Sequence, residues 1–116
     1  MKSEATIQQE IRLAIGAKFP LWRNECGQVN YRDKQGQQRF VRYGLCKGSA
    51  DLIGIRPVLI TPEMVGTTIG QFVGLEVKTE RGRPSELQVM FLDLINRNGG
   101  IGAIVKSAEE AEEVLR

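Results

Sequence analysis

Three features of the sequence predict an α/β domain: short apolar runs that alternate as strands do, helical stripes preceded by serine caps, and glycine- or proline-marked turns between them. The expected order is α-β-β-β-β-α-β-α around a mixed sheet. A chain of 116 residues, 41% hydrophobic and 26% charged, has enough apolar side chains for one core, so a single domain over 1–116 is expected.

The elements follow in order. Ile7, Ile11, Ala14 and Ile15 recur at helical spacing behind Ser3, a potential cap, and Gly16 with Pro20 marks the exit. Leu21 to Asn30 reads as one extended stretch. The polar turn Asp33-Lys34-Gln35-Gly36 joins it to a second extended run, Gln38 to Tyr43, as a hairpin. Ala50 to Ile55 is a short apolar strand carrying one acid, Asp51. Residues 56–71, with two prolines and two glycines, form a loop with room for a helical turn. Gln71 to Lys78 is a strand, and Thr79 to Pro84 a polar loop. Ser85 then caps a helix whose apolar face is assigned to Leu87, Met90, Phe91, Leu94 and Ile95, ended by Asn98-Gly99-Gly100. Ile101 to Val105 is a buried strand, and Ser107 to Glu110 has the spacing of a capping box opening the last helix.

Composition narrows the chemistry. The chain has no histidine, which excludes Ser-His-Asp and Cys-His nucleophile systems and His-ligated zinc. Catalysis would rest on carboxylates, lysine and a hard metal held by oxygen. No apolar run spans a bilayer, the first ten residues are too polar for a signal peptide, and Cys26 and Cys46 read as reduced thiols, so a cytoplasmic protein is expected. The net charge of +2 conceals an imbalance, because residues 11–50 hold eight bases and two acids. Such a stretch suits a polyanion, and it also suits an ordinary solvated surface.

Side chains alternate along a strand, so Glu76 and Lys78 point the same way, roughly 7 Å apart. If the strand after Asp51 neighbours theirs, the three converge on a site where two carboxylates bind Mg²⁺ and the ammonium acts on water or on phosphate charge. A solvent-facing Glu–Lys pair with Asp51 as a turn residue is the simpler account of the same residues.

Gly48-Ser49-Ala50-Asp51-Leu52-Ile53-Gly54 followed by Leu75-Glu76-Val77-Lys78 resembles the PD-(D/E)xK nuclease superfamily, and more narrowly its VRR-NUC family, the virus-type replication-repair nucleases. Trp22-Arg23-Asn24, the run from Arg39 to Gly44, Ser85-x-x-Gln88 and the Gly99-Gly100-Ile101-Gly102 close extend the likeness over nearly the whole chain. The resemblance implies a restriction-endonuclease-like core and a metal-dependent DNA endonuclease of phage or bacterial replication and repair. Asp51 and Glu76 would be metal ligands, joined by the backbone carbonyl of Val77, with Lys78 the catalytic lysine and Gln88 its helix-borne support. The family also places a glutamate on its first helix. Glu4 shares a stripe with Ile7, Gln8, Ile11 and Ile15 and is preferred, Glu10 being the alternative.

Mg²⁺ is the implied cofactor, Mn²⁺ its substitute, and no nucleotide or membrane is implied. The resemblance further implies a homodimer acting on branched DNA such as a Holliday junction. The competing readings are a non-catalytic nucleic-acid-binding module and a restriction-type cleavage module that takes specificity from a partner. Arg23, Arg39, Arg42 and Lys47, interleaved with Trp22, Tyr31, Phe40 and Tyr43, are candidate phosphate contacts. For Trp22 and Phe40 a core role is preferred. Arg81 and Arg83 lie on a loop that either closes over a DNA strand or is an inert turn.

Overall fold

The computed structural model describes residues 1–116, which form two compact units, Met1–Gly54 and Ile55–Arg116. In the first, the Ser3 hydroxyl accepts the Thr6 backbone N–H and so caps α1 (Glu4–Ile15), which packs against β1 (Leu21–Arg23). β1 pairs antiparallel with β4 (Leu52–Gly54), Trp22 opposite Ile53. β2 (Gly27–Arg32) and β3 (Gln38–Tyr43) form an antiparallel hairpin with Val29 opposite Val41. Asp33 organises its turn, one carboxylate oxygen accepting the N–H groups of Gln35 and Gln37 and the other the Arg39 guanidinium. At the far end Gly44 has φ +86°, and a Cβ there would overlap Cys26 Sγ and the Glu25 carbonyl, so only glycine fits.

In the second unit a 3-10 turn (Pro62–Met64) precedes β5 (Val73–Val77), α2 (Glu86–Arg97), β6 (Ile101–Val105) and α3 (Ala108–Val114). β5 and β6 are parallel, as a strand–helix–strand crossover requires, with Gly74 opposite Gly102 and Glu76 opposite Ile104. The glycine pair makes a notch. A Cβ on Gly74 would stand 2.5 Å from Ile95 Cδ1, and one on Gly102 2.6 Å from the Leu92 carbonyl. The notch lets α2 dock closely, burying Leu92 and wholly burying Ile95. Val105 completes this core, and α3 packs on β6.

Several expectations are corrected. The extended stretch from Leu21 to Asn30 is two strands, broken at residues 24–26 because Asn24 turns inward to bind the loop before β4. Six strands form three two-stranded ladders, β1–β4, β2–β3 and β5–β6, in place of one mixed sheet. The α2 face is also rotated from the one expected: Leu87 and Met90 are largely exposed, at 77% and 62%, while Gln88, Leu92 and Ile95 face the strands. Apolar residues cover more than half of this helix, and the glycine notch selects which stripe is buried. The Ser107 hydroxyl accepts from Glu110 N, but the Glu110 carboxylate accepts from Lys106 N, so the box closes one residue early. No helix is long and apolar enough to cross a membrane.

Candidate functional site

In the second unit the site is built on the end of β5. Parity places Glu76 on the sheet face that also carries Gly74, under the first turn of α2. The Ser85 hydroxyl accepts from Gln88 N, and Ser85 N donates to Gln88 Oε1. This reciprocal cap uses the amide oxygen of Gln88 and turns its Nε2 toward the strand, where it donates to Glu76 Oε1 at 2.7 Å. Lys78 Nζ lies 3.5 Å from the same oxygen, both side chains being largely covered. Neither contact uses Glu76 Oε2. The helix cap and the carboxylate are therefore one hydrogen-bonded unit, and the predicted residues Glu76, Lys78 and Gln88 do meet. Val77, the last residue of β5, has an exposed side chain. Beyond it, Lys106 Nζ donates to the Glu80 carbonyl at 2.8 Å and pins the loop that carries Arg81 and Arg83.

In the first unit, Asp51 immediately precedes β4 and lines an open cavity of about 610 Å³ with Glu4, Gln8, Arg23, Asn24 and Cys26. Of the two helix-one glutamates, Glu4 reaches this cavity. Glu10 instead pairs with Lys2 at 3.0 Å. Asp51 and Glu76 sit on different ladders, since β4 pairs with β1 and β5 with β6.

The residue that sequence reasoning passed over is Asn24, the buried polar side chain of the chain. Its Nδ2 donates to Ser49 Oγ (2.7 Å) and to the Ala50 carbonyl (2.8 Å), its Oδ1 accepts from Leu45 N (3.1 Å), and its own N–H donates to the Asp51 carbonyl (2.8 Å). Four bonds thus fix the loop that presents Asp51. The signal was an Asn between a short apolar run and a glycine-containing turn, but only the fold shows what it binds. Cys26 Sγ also lies in this cavity, 3.0 Å from Ser49 Oγ. That hydroxyl, assisted by the backbone N–H groups of Cys46 and Leu45 and by Asn24, holds the Cys26 thiol below its ordinary pKa against a smaller opposing effect of desolvation.

The candidate phosphate contacts divide by partner. Arg23 is paired with Glu25 and Arg39 with Asp33, and the Arg39 guanidinium holds the Asp33 carboxyl below its ordinary range. Arg42 has no acidic partner and lies 5.2 Å above the Phe40 ring. Phe40 is 57% exposed rather than in a core. Lys47 is exposed on the loop before Asp51, and Arg83 donates only to the Gly82 carbonyl.

Neither unit gathers three or more Asp, Glu or Cys side chains into one group. What the acids offer is oxygen alone, the donor chemistry of a hard divalent cation, with Glu76 Oε2 unshared. No protein-family model, curated protein or solved structure matches this chain.

Proposed function

We propose that the protein is a metal-dependent DNA endonuclease, acting as a homodimer on branched DNA. The observation that carries the reading is the Glu76–Lys78–Gln88 unit. A helix cap holds one oxygen of a strand carboxylate, an ammonium stands beside that oxygen, and the second oxygen is left for a ligand.

In this reading Glu76 and the Val77 carbonyl offer metal-ligating oxygens in the second unit, and Asp51 with Glu4 offers them in the first. When bound, Mg²⁺ or Mn²⁺ polarises water and offsets charge on the phosphate. Gln88, by occupying Glu76 Oε1, fixes the direction in which Oε2 is presented. Lys78 Nζ, oriented by Glu76, orients the attacking water and offsets the charge that builds on the phosphoryl oxygens. The Arg81–Arg83 loop, tethered through Lys106, lies one turn of chain beyond the lysine and suits the scissile strand's neighbouring phosphates.

Labelled four-way, flap and linear DNA incubated with the purified chain in Mg²⁺, Mn²⁺ or EDTA tests this. Cleavage with either metal and none in EDTA is expected. Glu76→Gln and Asp51→Asn should abolish both cleavage and calorimetric metal binding. Lys78→Ala should keep metal binding while turnover falls at least ~100-fold. Wild-type cleavage by Glu76→Gln would overturn the assignment. Sedimentation should show a species of twice the 12.9 kDa chain mass.

A further inference from the structure

The β2–β3 hairpin has two unlike faces. Register and alternation place Gln28, Asn30 and Arg32 beside Arg42, Phe40 and Gln38 on one face, while Gly27, Val29, Tyr31, Arg39, Val41 and Tyr43 share the other. Every residue of the first face is exposed, and none is acidic. Its side chains are ordered among themselves. Arg42 Nε donates to Gln28 Oε1 at 3.4 Å, Gln28 Nε2 donates to Asn30 Oδ1 at 2.9 Å, and the Arg42 guanidinium lies over Phe40. The single acid of the hairpin, Asp33, is neutralised by Arg39 at the turn.

We propose that this face is a two-stranded ribbon that enters the major groove of B-form duplex DNA and reads base edges. The dimensions agree. Two strands about 4.8 Å apart and six residues long, about 20 Å, fit a groove about 12 Å wide that is known to admit such a ribbon. The chemistry agrees as well: Asn and Gln amides match the adenine edge, and an exposed Phe the thymine methyl. Arg32 and Arg42, at opposite ends of the ribbon, supply positive charge where it would flank the groove. A-form RNA closes its major groove to side chains, and one phenyl ring is no stacking platform for single strands, so duplex DNA is the partner this face suits. A second copy is disfavoured, because two such faces would oppose guanidinium groups with no carboxylate between them. The proposal goes beyond cleavage, since none of these residues belongs to the Glu76 unit.

The test is selection from a random 16-bp duplex library with the full chain in EDTA, followed by fluorescence anisotropy at several salt concentrations. An enriched motif is expected, with duplex RNA and single strands bound at least tenfold more weakly. Asn30→Ala should relax preference at one base position by about tenfold and leave the salt slope unchanged. Arg32→Gln and Arg42→Gln should weaken every sequence and lower the slope of log K against log salt by about one each. Tyr31→Ser and Val41→Thr, on the opposite face, should bind within twofold of the parent. All these positions are exposed, and thermal melts followed by circular dichroism verify folding. Duplex binding without an enriched motif, equal binding of RNA, equal losses from the opposite face, or self-association abolished by Phe40→Ser in a chain that binds no DNA would each overturn the proposal. Binding is read in EDTA and cleavage in Mg²⁺, so failure of the nuclease reading leaves this result independent.

Discussion

The β2–β3 hairpin and the β5–α2–β6 unit use the same 5–6-residue strands for opposite purposes. The hairpin is local in sequence, exposed on both faces, and held by its ladder, the Asp33 turn and side-chain bonds along its surface. The crossover unit joins strands that are distant in sequence, and its order comes from a small core around Ile95 and the glycine notch. A carboxylate that must hold one direction sits on the packed unit. The arginines and amides proposed to meet DNA sit on the open one. Rigidity is thus placed under the candidate chemistry, and accessibility under the candidate interface.

The sharpest way to break this comparison is to remove core volume. Ile95→Ala should cost about 2–5 kcal/mol in urea unfolding, whereas Val29→Ala in the hairpin should stay within about 0.5 kcal/mol. Equal effects would mean the hairpin is packed as tightly as the crossover. Next in size is Asn24→Ala, which strands the Leu45 N–H and frees the loop before Asp51. A loss of about 1–3 kcal/mol is expected, with increased hydrogen exchange confined to residues 44–51. Ser85→Ala should remove about 1 kcal/mol through the lost cap. In the proposed cleavage it should also lower turnover more than Leu87→Ala does, because the cap orients Gln88 toward Glu76.

The smallest effect depends on pH. Folding lowers the Asp33 pKa, chiefly through Arg39, so its support of the turn is complete above the ordinary carboxylate value of about 3.9. That support is lost as pH falls through the lower folded-state value. An NMR titration of Arg39→Ala should move the Asp33 midpoint upward toward the ordinary value, with the Gln35 and Gln37 amides losing protection at higher pH than in the parent. An unchanged midpoint would show that the two turn amides, and not the guanidinium, set it.

Sequence periodicity and end signals were enough to locate the three helices, because serine caps and terminal glycines act within a few residues of the bonds they make. Strand positions were legible too, apart from the break at residues 24–26, and the hairpin register follows from its short turn. Strand partners were not. Nothing local to Leu52–Gly54 says that it pairs with Leu21–Arg23, or that Ile101–Val105 lies beside Val73–Val77. The shared face of Glu76 and Lys78 follows from alternation alone, but the Gln88 bond to Glu76 needed the helix to dock at one rotation. Leu87, Val89, Met90, Phe91, Leu92, Leu94 and Ile95 are all apolar, so their pattern leaves that rotation open. Gly74 and Gly102, 28 residues apart and opposite each other only once β5 and β6 pair, decide it by close approach. Asn24 is the same case in the first unit: its identity was visible, while its four partners lie 21 to 27 residues away. The sequence by itself determined the local elements and the residue types that carry charge, because those depend on neighbours in the chain. Tertiary structure alone decided which of those residues share a hydrogen bond, because that depends on backbone contacts between segments far apart in it.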